Sequence, residues 1–188
     1  MLNLLKSISV VLMILSGVSL VAAQEPLKPA PGAALYIYNI SDAAKPASDA
    51  EPISVTVDSS TQFSKANLSK NGETRKFVNQ DLFLVWTGYI SITQKGIYTF
   101  SMSYEIVNPY RAPSVIFQIN GKDFLGIMQK SQKTKLNDSL ALSLDKGDYE
   151  IKLICRATGA HDFSVKMWNK LRPLKKIKIT PASMVHAE

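Results

Sequence analysis

Leu82 to Thr93 is rich in aromatic and β-branched residues, and beyond it apolar and polar positions alternate. Tyr98, Phe100 and Met102 alternate with Thr99 and Ser101. Val115, Phe117 and Ile119 form a second set, and Leu140, Leu142 and Leu144 a third. Tyr149, Ile151, Leu153 and Cys155 share one face against Glu150, Lys152 and Arg156, and Phe163, Val165 and Met167 close the series. A period of two is that of a strand with one face inward. Turn chemistry separates these runs: Gln94-Lys95-Gly96, Asn120-Gly121, Asp145 to Asp148 and Thr158 to Asp162. Asn-Gly is the strongest of them, because both residues tolerate the positive φ of a type I′ hairpin turn. Upstream, Leu35 to Ile40 and Ile53 to Val57 read as strands, with a loop from Ser41 to Pro52 between them. Asp58 to Gln80 is polar and weakly patterned, so it holds either a short helix or a long loop. No amphipathic helix and no internal repeat is found. The pattern predicts an all-β protein, a single β-sandwich or barrel.

The first residues follow another rule. Lys6 is the sole charge before Glu25, and Ile8 to Val21 is almost wholly apolar. Val21-Ala22-Ala23 then gives a small-x-small exit, so residues 1–23 read as a secretory signal peptide cleaved near Ala23. A membrane anchor is the competing reading of the same stretch. Residues 24–34 carry Pro26, Pro29 and Pro31 and read as a Pro-rich leader. The remainder, 35–186, is long enough for one core.

Composition changes the picture mainly by exclusion. Of 188 residues 46% are hydrophobic and 20% charged, as in a folded domain. One Cys and two His rule out a disulfide framework and a Cys/His zinc cluster. Cys155 shares a face with apolar neighbours and is expected in the core. There is no nucleophile elbow, no paired metal-binding histidine motif and no phosphate loop, and neither His161 nor His186 has an evident nucleophile partner. The chain is therefore read as non-catalytic. The formal net charge is +7, and Lys170, Arg172, Lys175, Lys176 and Lys178 lie within nine positions. Such a run suits an anionic surface; it also suits an edge strand whose lysines block edge-to-edge pairing. Nucleic acid is a poor partner for an exported chain. Three sequons begin at Asn39, Asn67 and Asn137.

Several segments, taken in order, resemble a known family. Val85-Trp86-Thr87-Gly88-Tyr89-Ile90 with Gly96-Ile97-Tyr98-Thr99-Phe100 resembles the W-x-G-x-I…G-x-Y-x-F signature of the anthrax protective-antigen type domain, the PA-fourteen family. Val115 to Gly121 is similar to the strand ending in an I-D-G turn, with Asn120 in place of Asp. Leu142 to Ile151, Phe163 to Trp168 and Thr180 to Val185 resemble its later strands and its I-P-A-S-x-L ending. The resemblance implies a β-barrel or sandwich with Trp86 buried and Gly88 under a close neighbour, and a module that binds rather than reacts. Sugar-binding members carry an Asp pair that holds Ca²⁺ in the loop before the I-D-G strand. Here the stretch Tyr104 to Ser114 has a single acid, Glu105, so no metal and no cofactor is implied.

That loop offers Tyr104, Glu105, Asn108, Tyr110 and Arg111 as a stacking and hydrogen-bonding surface. The sequence thus leads to an exported, secreted or periplasmic, cell-surface module without a membrane span after cleavage. Its partners would be a glycan, in adhesion or recognition, or another envelope protein in an assembly role.

Overall fold

The computed structural model describes residues 29–40, 46–106, 115–127, 135–157, 163–171 and 177–187. Among them are thirteen strands: β1 Pro29–Pro31, β2 Ala33–Asn39, β3 Ser54–Asp58, β4 Phe63–Ser64, β5 Leu82–Ile92, β6 Gly96–Ile106, β7 Val115–Ile119, β8 Lys122–Ile127, β9 Lys135–Leu144, β10 Gly147–Ala157, β11 Phe163–Leu171, β12 Ile177–Ile179 and β13 Val185–Ala187. They form two antiparallel sheets. The larger runs β1-β13-β5-β10-β7-β8, with β2 and then β3 added beside the first half of β5. The smaller runs β12-β11-β6-β9, with β4 on the same side of β11 as β12. The fold is the all-β sandwich that the alternation predicts.

Alternation fixes what lies between the sheets. Leu84, Trp86, Phe117, Leu153 and Cys155 from the larger sheet meet Tyr98, Phe100, Met102, Val165 and Met167 from the smaller in one core. Phe100 and Phe117 touch across the gap with ring centroids 5.7 Å apart. The Asn120-Gly121 turn has φ of 48° and 75°, so both residues take the left-handed conformation that a type I′ hairpin demands. The first half of β5 is buried at every position from Leu82 to Trp86. Its outward residues Phe83 and Val85 join Ile116 and Ile154 in a second, smaller core, with Tyr36, Tyr38 and Ile40 packed on it.

Cys155 is fully buried, and burial pushes its thiol well above the ordinary range. The native protein should therefore resist a thiol reagent such as Ellman's at pH 8 and react only on unfolding. The sign is that of a raised acid: below the unfolded thiol's pKa both states are protonated. Above it the unfolded chain ionises first, so stability falls as pH rises. Rapid native labelling would place the thiol at the surface.

The weakly patterned stretch is anchored by the core residues Phe63 of β4, Leu68 and Phe77, and by polar contacts. Two short 3-10 turns, Lys65–Lys70 and Arg75–Phe77, fill it. The Ser64 hydroxyl caps the first by accepting from the Ala66 N–H at 3.1 Å. The buried Lys65 ammonium donates to the Gln80 carbonyl at 2.8 Å, and the Thr74 hydroxyl to the Leu68 carbonyl at 2.8 Å.

Two sequence expectations need correction. The leader expected over 24–34 is in part a piece of the sheet: Pro29–Pro31 pairs with β13, and Ala33 and Ala34 belong to β2. Proline fits there because β1 is an outermost strand, where a missing N–H costs no ladder bond. The sequon at Asn67 is inaccessible in the fold. Its side chain is buried and donates to Ser60 Oγ at 2.7 Å and to the Gln62 carbonyl at 2.8 Å. The signal-peptide reading of 1–23 lies outside the described residues.

Candidate functional site

The smaller sheet has one face in the core and one open. On β6 the inward set Tyr98, Phe100, Met102 and Tyr104 leaves Thr99, Ser101 and Ser103 on the open face. On β11, Val165, Met167 and Leu171 point inward, which leaves Ser164, Lys166, Trp168 and Lys170 outward. Register brings these positions into rows. Trp168 pairs with Ser101, and Ser101 with Ser139; Lys166 pairs with Ser103, and Ser103 with Asn137. The short serine side chains of β6 and β9 leave a shallow groove beside the half-buried indole. Its volume is about 410 Å³, and Trp168, Ser101, Ser103, Asn137, Asp138 and Ser139 line it. That volume is in the range of small-ligand sites.

The groove combines a flat aromatic edge with hydroxyl and amide groups, while Asp138, in register with the inward Met102, has the opposite parity. Asp138 Oδ1 accepts from the Ser139 N–H at 2.8 Å, which turns that carboxylate along the strand. Lys178 on β12 stands next to Trp168 in register, and its ammonium donates to the Thr61 carbonyl at 2.8 Å. Lys166, Lys170 and Lys178 are all exposed. Among the described residues no group of three or more His, Cys, Asp and Glu could hold a metal ion.

Two other hollows are built differently. One, of about 300 Å³, lies on the open face of the larger sheet between Tyr38, Gln118 and Lys152 and the segment from Pro46 to Ala50. Burial, with Tyr36 adding to it, raises the Tyr38 hydroxyl pKa. The second, of about 420 Å³, lies over Asp58, Ser60, Asn67 and Lys70. There Asp58 accepts from the Trp86 indole N–H at 2.7 Å and from the Ser60 N–H at 2.9 Å. Those bonds tie the loop to the core, so its polar groups are engaged structurally.

The loop that the sequence put forward divides. Tyr104 lies at 0% exposure in the core between the sheets, because it continues the inward alternation of β6. It therefore cannot form part of an exposed contact surface, which corrects its assignment. Glu105 is still within β6, paired with Ser164 and Lys135. Asn108, Tyr110 and Arg111 lie outside the described residues, as do Arg172, Lys175 and Lys176 of the basic run. Trp168 is the residue that sequence reasoning passed over. Its signal was available: a Trp between Lys166 and Lys170, out of phase with Val165 and Met167, has to face outward.

The architecture defines the class: an all-β sandwich of two antiparallel sheets. No family model matches the sequence, and no curated protein does. Solved structures do match. The chain is similar to the Epithelial Adhesin 6 A domain from Candida glabrata, solved in complex with Galb1-3GlcNAc, with a TM-score of 0.55 and 12% identity over 87% of this chain and 90% of that one. It is similar to the PA14 sugar-binding domain from an RTX adhesin, with a TM-score of 0.55 and 10% identity over 84% of this chain and 99% of that one. It also matches part of a β-glucosidase from Kluyveromyces marxianus solved in complex with glucose, with a TM-score of 0.53 and 17% identity over 77% of this chain. The chain spans 17% of the length of that enzyme. At such identities the likeness establishes the fold. Among the described residues no helix is long and apolar enough to cross a membrane.

Proposed function

We propose that this protein is an exported, non-catalytic glycan-binding module of the cell surface. One observation carries the reading: a half-buried indole on an open sheet face, edged by short hydroxyl and amide side chains in a shallow groove of about 410 Å³. An aromatic plane gives a sugar ring contact area at little entropy cost, and the hydroxyl and amide groups fix its orientation. The sugar complex of one similarly folded domain and the sugar-binding description of another are consistent with this role, and the apolar run with its small-x-small exit at Ala23 is consistent with export. By composition the segment after β6, with Asn108, Tyr110 and Arg111, is a second candidate contact region.

A glycan array followed by calorimetry tests it. Trp168→Ala should weaken binding by about 30-fold or more, as expected for an aromatic anchor worth roughly 2 kcal/mol. The thermal melt should move little, since the ring is not a core residue. A paired Tyr110→Ala, Arg111→Ala variant tells whether the chain beyond β6 contributes. Unaltered binding by Trp168→Ala would remove the groove from the reading.

A second reading, assembly with another envelope protein, is favoured by β3. This strand pairs with β2 alone among the described residues and exposes Val55 and Val57 at 52% and 49%, with Ile53 just before it at 38%. An open edge with apolar side chains is a template for strand addition.

A further inference from the structure

We infer that the groove beside Trp168 takes an acidic polysaccharide, one bearing carboxylate or sulfate groups; this rests on the glycan-binding reading and names its ligand class. The open face of β11 carries Lys166, Trp168 and Lys170 in succession, and Lys178 of β12 stands level with Trp168. Lys166 and Lys170 are four residues apart, about 13 Å along the strand at a rise of roughly 3.3 Å per residue. Three exposed ammonium groups thus surround one indole.

Edge protection explains only one of them. β12 is an outermost strand, where Lys178 guards an open ladder. β11 is an interior strand, flanked by β6 on one side and by β4 and β12 on the other. Lysines on the face of an interior strand block no edge. Nor does a structural ion pair account for them: among the described residues no carboxylate pairs with Lys166 or Lys170, and the pair Lys95–Asp145 lies elsewhere.

The groove is polarised across the sheet. The lysines are on β11 and β12, and the neutral Asn137 and Ser139 are on β9, two strands away from β11 and so about 9–10 Å distant. A saccharide lying on the face therefore meets cations along one side. Along the other it meets Asn137 and Ser139, groups that hydrogen-bond hydroxyls. An acidic sugar polymer carries both functions on one ring, with the ring plane against the indole. A lipid phosphate offers the charge without the ring, and a neutral glycan offers the ring without a use for the lysines.

The test uses the mature chain with four probes: polygalacturonate, dextran sulfate, dextran, and vesicles of phosphatidylcholine with phosphatidylserine. Binding is measured at 50 and 300 mM NaCl. Polygalacturonate or dextran sulfate should bind, at least tenfold more weakly at the higher salt, and which of the two binds identifies the anionic group. Lys166→Gln with Lys170→Gln should cost tenfold or more toward that probe without moving the melt. Trp168→Ala should cost as much, which a merely electrostatic surface would not show. Equal binding of dextran and dextran sulfate, indifferent to salt, would overturn the inference and leave the glycan reading standing. Failure of every saccharide, on these probes and on the array, would overturn both. Polyanion binding that survives Trp168→Ala, or vesicle binding matching that of the polysaccharides, would replace the inference with a nonspecific anionic or membrane surface.

Discussion

Trp86→Ala should cost this protein about 3–5 kcal/mol of stability, the range for removing a fully buried aromatic ring. The ring is at 0% exposure on the inward face of β5, and Phe63 of β4 meets it edge to face at 5.6 Å, which ties the larger sheet to the smaller. Its second role is polar. The indole N–H donates to Asp58 Oδ2 at 2.7 Å, and Asp58 is itself buried at the end of β3. Removing the ring therefore leaves a cavity and strips a donor from a carboxylate that has Ser60 and Asn67 beside it. Trp86→Phe separates the two contributions. It keeps most of the apolar surface and deletes the donor, and should cost about 1–3 kcal/mol, the penalty for a buried acceptor losing its partner. Urea melts of the two variants check both figures. A loss below about 1 kcal/mol for the alanine variant would mean that the ring is not a core element.

The same residue shows what the sequence makes legible. Trp86 ends a continuously apolar run from Leu82, so its burial follows from the resemblance to the W-x-G strand and not from periodicity. The inward placing of Tyr98, Phe100, Val165 and Met167 does follow from periodicity, and the hairpin at Asn120-Gly121 follows from backbone chemistry. Asp58 is different. Its acceptance of a bond from a Trp 28 positions away depends on how β2, β3 and β5 stack, and no local pattern encodes that. The segment after it is likewise fixed in part by single polar contacts such as Lys65 to Gln80. The candidate site failed in a more instructive way. Tyr104 was assigned to a loop by its neighbours Asn108 to Arg111, yet it continues the parity of Phe100 and Met102 and goes to the core. Parity also places Trp168 outward, so the same rule, applied to the neighbouring strand β11, gives the groove. What parity cannot give is the row structure across strands, Trp168 to Ser101 to Ser139, which is set by register.

Gly88→Ala should destabilise the fold by about 1–3 kcal/mol, and Gly88→Val by more. A Cβ built on Gly88 would stand 2.8 Å from the Val185 carbonyl oxygen and 2.9 Å from Met184 Cε. The methionine end can swing aside, but the carbonyl is backbone and cannot give without moving β13. That strand has little freedom: it pairs with β1 along its length and meets β5 at Val185 and Tyr89. Just before it, the Thr180 hydroxyl accepts from the Ser183 N–H at 3.1 Å, and the Ser183 hydroxyl accepts from the Thr180 N–H at 2.8 Å. The opposing gain is small, since Gly to Ala reduces unfolded-chain entropy by an amount worth about 0.4–1 kcal/mol. Gly72 isolates that gain: nothing lies within 4 Å of its added Cβ, and its φ is not positive. Gly72→Ala should therefore be neutral or slightly stabilising by the same measurement. A second readout locates the damage. If the side chain at position 88 levers β13 off the sheet, limited proteolysis should cut the Gly88→Val variant within 180–187 while leaving the wild type whole there. Equal melts and equal cleavage for Gly88→Val and wild type would show that the close approach of β13 to β5 does not exist in solution.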